Sequence, residues 1–86
     1  MLNLLYRNWM GGNEMIYQVF KHVTRVEEKD IDTYGIVLFT NGAETLRMYD
    51  VSTDYNSITK FVESINASHL DPFRLGQALE KYLNEY

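Results

Sequence analysis

Cysteine is absent from this 86-residue chain, so no disulfide holds the fold, and the absence fits a reducing compartment. The two histidines, His22 and His69, are far apart and have no second ligand pattern near either, which removes the usual zinc spacings. Basic residues are few: eight Lys and Arg against twelve Asp and Glu give a formal charge of −4. That balance opposes binding to a phosphate backbone, where clustered cations supply most of the affinity. The apolar run in "MLNLLYRNWMGG" is too short to cross a membrane, and it lacks the charged start and longer apolar core of a secretory leader. The chain therefore reads as cytoplasmic, with neither nucleic acid nor membrane as partner.

Catalytic patterns are also missing. There is no Gly-rich phosphate loop, no G-x-S-x-G elbow, no S-x-x-K pair, and no Asp-x-Asp-x-Asp-Gly repeat closed by a glutamate. Asp30 and Asp32 read as a solvated turn, Ser52, Thr53 and Asp54 as helix-capping residues, and His22 and His69 as surface histidines. We assign no catalytic, cofactor-binding or metal residues from the sequence.

Core-forming residues, in contrast, are plentiful. The chain is 45% hydrophobic and 14% aromatic, without repeats or low-complexity segments, so it is not disordered. A domain this short buries only roughly 60% of the surface its unfolded chain exposes. With no disulfide or metal to compensate, association is the remaining device.

Three β-rich segments lead the domain. "MIYQVFKHVTRV" (15–26) is the first, with Ile16 and Phe20 on one face and Tyr17, Val19 and Val23 on the other. The polar "EEKDID" (27–32) reads as a hairpin connection, and "TYGIVLF" (33–39) as the second strand. Asn41-Gly42 is the sharpest turn signal, since both residues tolerate the positive φ of a tight hairpin. "TLRMYDV" (45–51) follows, with Leu46 and Met48 facing one way and Arg47, Tyr49 and Val51 the other.

The period then changes from 2 to 3.6. Ile58, Phe61, Val62 and Ile65 form one helical stripe, with Asn66 as its exit residue. Asp71 and Pro72 open a second helix whose stripe is Leu75, Ala78, Leu79, Tyr82 and Leu83. Gly76 weakens that helix and marks a close approach between helices. The aromatics Phe61, Phe73, Tyr82 and Tyr86 are read as core packing. The expected fold is α+β: a three-stranded antiparallel meander with two helices on one face (βββαα), preceded by a possible N-terminal helical arm.

The central strand is apolar on both faces. Tyr34, Ile36 and Leu38 face the helices, with Ile36 and Leu38 meeting Leu46 and Met48, while Val37 and Phe39 need another cover. The expected interface is Val37, Phe39, Tyr49, Val51 and Tyr17. Its cover is either the arm, residues 1–14, or another copy of the chain. A homodimer or another protein partner is favoured, because it offsets the small core as well.

Residues 1–14 themselves allow two readings. Gly11-Gly12 can be encoded by a purine-rich stretch resembling a bacterial ribosome-binding site, two codons before Met15, which makes Met15 the start. Alternatively they form a linker after a short helix or arm carrying Leu2, Leu4, Leu5, Tyr6 and Trp9. Residues 15–86 form the single α+β domain.

The succession "TYGI", "DVSTD" and "N…HLDP", closed by an amphipathic helix, resembles a family of short bacterial proteins of unknown function found mainly in Firmicutes. The similarity covers roughly residues 15–86. The family's Leu-x-Pro-x-His-Leu stretch is matched by Leu70, Pro72 and Leu75, with Arg74 in the histidine's place, so no histidine-dependent role carries over. The resemblance implies no activity.

Three functions follow as expectations: a non-catalytic protein–protein interaction or regulatory module, a small-molecule-binding or enzymatic domain using the cleft between sheet and helices, and a phage or mobile-element accessory protein. A pocket where Asp50, His69 and Arg74 meet would favour the second. An apolar sheet face would favour the first.

Overall fold

The computed structural model describes residues 8–10 and 13–85. Asn41 and Gly42 take left-handed backbone angles, φ 54° and 83°, as the centre of a two-residue hairpin requires, and join β3 (Lys29–Thr40) to β4 (Ala43–Ser52). The same turn fastens the start of β2 (Asn13–Val26): the Asn41 amide donates to the Glu14 carbonyl at 2.8 Å, and Asn41 Oδ1 accepts from the Glu14 N–H at 2.9 Å. The meander read from the sequence is β2-β3-β4. A short β1 (Asn8–Met10) adds to the outer edge of β2, Asn8 opposite Met15, giving the order β1-β2-β3-β4. Residues 8–10 are thus extended rather than helical. Residues 1–7, where the rest of the suggested arm falls, lie outside the described residues.

The first hairpin is longer than the sequence suggests. In place of a loop over 27–32, only Glu27 and Glu28 turn, at φ 51° and 68°. Glutamate is poorly suited to that region, so the ladder on either side imposes it, running without interruption from Met15 opposite Thr40 to Val26 opposite Lys29. Asp30 and Asp32 are accordingly strand residues and not turn acids. Arg25 lies 3.4 Å from Asp30, and Lys21 lies 3.5 Å from Asp32.

Helix α1 (Tyr55–Ala67) starts at Asp54, whose carboxylate accepts from the Ser57 N–H at 3.1 Å. It ends in a Schellman closure. Leu70 N–H donates to the Ile65 carbonyl at 3.0 Å and His69 N–H to the Asn66 carbonyl at 3.2 Å, with His69 left-handed at φ 54°. Asp71 accepts from Phe73 N–H and starts a single 3-10 turn (Pro72–Arg74), after which α2 (Leu75–Glu85) begins.

Both helices cover one face of the sheet. Ile58, Val62, Ile65, Leu75 and Leu79 pack with Tyr17, Ile36 and Leu38 in one buried cluster. Phe61 stacks on Tyr82 at 4.7 Å between ring centres, and Tyr82 OH lies 2.6 Å from Ser57 Oγ. Three expectations fail here, the first being Leu83, which ends the α2 stripe read from the sequence but is 54% exposed. Gly76 is not a close approach, because a Cβ at that position would meet nothing within 4 Å; the glycine costs α2 about 1 kcal/mol relative to alanine with no packing in return. Phe73 is 98% exposed, since the 3-10 turn shifts it off the stripe on which the sequence would bury it. No helix among the described residues is long and apolar enough to cross a membrane.

Candidate functional site

Alternation along three strands sends a second set of side chains to the face that the helices leave open. From β2 come Phe20, His22 and Thr24. Their direct partners on β3 are Gly35, Thr33 and Ile31, and Val37 and Phe39 continue the same face. Arg47 stands opposite Val37 on β4, with Tyr49 two residues further on.

Arg47 answers much of what this face demands. Its guanidinium lies 4.4 Å from the centre of the Phe20 ring and 5.9 Å from that of Tyr49, a cation–π arrangement. Glu44 holds it from the other side through two charge-assisted bonds of 2.9 and 2.6 Å. The bond from Arg47 keeps the Glu44 carboxyl below its ordinary pKa, and Glu44 pushes the guanidinium further up. Tyr49 meets Phe20 edge-on at 5.3 Å and His22 at 5.0 Å. Val37 is buried, Phe39 is half-buried, and Tyr49 is 54% exposed.

A β-bulge shapes the upper end of the site. Tyr34 pairs with Ser52 and Ile36 with Met48, so the single residue Gly35 faces three residues of β4, 49–51. Asp50 takes φ 55° within the bulge, which aims its carboxylate at the open face. Oδ1 accepts from Thr33 Oγ1 at 2.5 Å and from Thr24 Oγ1 at 2.7 Å, linking β4 to both other strands. These two bonds, with His22 nearby, hold the Asp50 carboxyl below its ordinary pKa. A depressed folded value stabilises the fold above the unfolded value, and that contribution disappears as pH falls through the folded one. Thermal melts taken downward from about pH 5 should therefore fall more steeply for the natural chain than for Asp50→Asn. Equal slopes would show that Asp50 ties nothing together.

The bulge also corrects the expected interface. Of its five residues, Val37, Phe39 and Tyr49 lie on the open face. Val51 does not: the extra residues in β4 reverse the alternation, and Val51 packs against the helix-covered core. Tyr17 is likewise not available, being only 1% exposed in that core. Its hydroxyl donates to the Leu70 carbonyl at 2.9 Å, and burial pushes its pKa up to about 12. Phe20, Arg47, His22 and Asp50 are not assigned to the interface from the sequence, although alternation along 45–51 already groups Arg47 with Tyr49.

Asp50, His69 and Arg74 do not converge. Asp50 bonds to Thr24 and Thr33 on the open face, while exposed His69 closes α1 and exposed Arg74 sits in the 3-10 turn before α2. The open face presents a stacked cation, three aromatic rings, an imidazole and a fixed carboxylate, all mounted on strands. No protein-family model matches the chain, and neither a curated protein nor a solved structure matches it.

Proposed function

We propose that the chain is a non-catalytic protein–protein interaction or regulatory module that works through the open sheet face, with a second copy of itself as the partner. The observation that carries this reading is the ordered cluster of Tyr49, Arg47 and Phe20. Tyrosine and arginine dominate the energetics of protein interfaces. Here Glu44 and Phe20 fix the Arg47 geometry in advance, which lowers the entropy lost on docking. The face carries both an arginine and a carboxylate, Arg47 and Asp50, and so can complement itself across a two-fold axis. The resemblance to short Firmicutes proteins is part of the proposal and adds no activity to it.

Tyr49→Asp tests the reading, because a half-exposed side chain can be changed with little effect on folding. Sedimentation should show the natural chain as a dimer and the variant as a folded monomer, whose melting temperature no longer rises with protein concentration. A natural chain that stays monomeric at millimolar concentration, on the order of 1 mM, would exclude the self-partner.

A further inference from the structure

β4 ends the sheet, and no described strand pairs with its outer edge. Backbone groups alternate sides along a strand, so half of those in residues 43–52 face outward without a neighbouring ladder. Native sheets blunt such an edge with charge or with a bulge. The bulge at 49–51 does so at one end, and Glu44 and Arg47 stand on the open face, bonded to each other. The helix-covered side of the same edge has no such guard. Leu46, opposite Leu38, is 38% exposed there, and beside it opens a cavity of about 500 Å³ walled by Met15, Leu38, Leu46, Pro72 and Phe73. Phe73 adds a separate signal. It forms one wall of that cavity and yet is 98% exposed, so a large ring gains nothing from the fold that holds it.

We propose that this edge and its cavity take an extended segment of another protein by strand addition, one with large apolar side chains at alternate positions and a lysine or arginine beside them. The outward backbone groups of β4 bond the added strand, which supplies affinity, and the cavity selects its side chains. Directly opposed residues share a face, so the residue set opposite Leu46 points to the helix side and into the cavity. The next on that face follows about 6.6 Å along the strand, and Phe73 closes over them. Charge selects the flanking residue. Asp71 is the one charged group among the described residues of the cavity wall, and the chain as a whole carries −4, so a cation complements the site where an acid would be repelled. The β4 of a second copy does not meet this need, because it brings Glu44 and Asp50 and its one cation, Arg47, is tied to Glu44. The proposal rests on the reading of the chain as an interaction module, but not on its self-partner.

The test pans a phage library of random peptides, about ten residues long, on the full chain, and the selected sequences are synthesised. They should alternate large apolar residues and carry lysine or arginine beside them, and on binding they should protect the outward β4 amides between 43 and 48 from hydrogen exchange. Phe73→Ser should melt as the natural chain does and bind them about tenfold more weakly. Tyr49→Asp, altered on the open face, should bind them as the natural chain does, whether or not it has become a monomer. Failure to select such a pattern, equal binding to Phe73→Ser, or a loss in Tyr49→Asp instead overturns the proposal. Protection of the β4 amides without peptide, rising with chain concentration, overturns it too, because a second copy then holds the edge.

Discussion

Gly35→Ala is expected to be the most damaging single-methyl change in the chain. A Cβ at that position would overlap the Met48 carbonyl oxygen and come within 2.6 Å of the Phe20 ring. The ring could rotate away, but the carbonyl belongs to the β4 backbone beside the bulge and cannot move without breaking the pairing of Ile36 with Met48. Overpacking of this kind costs about 3 kcal/mol or more, a large share of the stability of so small a domain. Urea unfolding gives the measurement. A double variant, Gly35→Ala with Phe20→Ala, separates the two causes: it should recover little, because the backbone overlap remains. Full recovery would assign the role of Gly35 to the ring alone, and an unaffected single variant would refute the close approach altogether.

Asn66→Ala is expected to have an effect of similar size by a different route. The amide of Asn66 serves both backbone groups of Tyr17 in a region where Tyr17 and Asn66 are 1% and 4% exposed. Removing it strands one donor and one acceptor, each worth about 1–3 kcal/mol when buried without a partner. The loss should therefore be about 2–6 kcal/mol, and hydrogen exchange at the Tyr17 amide should accelerate well beyond that of neighbouring β2 amides. A loss below about 1 kcal/mol would mean that water or the chain itself replaces the amide.

The legibility of these features in the sequence follows their range. Asn41-Gly42 was readable because the left-handed backbone and the residue types that tolerate it occur together. The stripe of α1 was readable because it repeats locally. The Glu27-Glu28 turn was not, since neither residue favours its conformation and only the ladder around it enforces the bend. Tyr17 was misplaced because both faces of β2 carry aromatic or branched residues, so alternation divides the strand without saying which half the helices cover. Val51 was misplaced because parity counting assumes an unbroken strand, and the bulge at Asp50 shifts it. Asn66 resembles an ordinary helix exit residue; its actual partner lies 49 positions away, beyond any local pattern. The open face was half legible: the apolar demand of Val37 and Phe39 was visible, but the answer, an arginine stacked on a ring, needed the register of three strands at once.

The long hairpin divides the molecule into two units of unequal persistence. At and beyond the triple tie of Thr24, Thr33 and Asp50, the strands carry Val23, Val26 and Ile31 partly in the open, with no residue of the buried cluster among them. Opening this ribbon from its glutamate tip therefore releases backbone strain and exposes little new apolar surface, whereas opening beyond the tie uncovers Ile36 and the underside of α1. Hydrogen exchange is therefore expected to be faster in the ribbon, residues 25–32, than at Tyr17 or Ile36 in the two-layer body, with the tie at Asp50 as the limit of local opening.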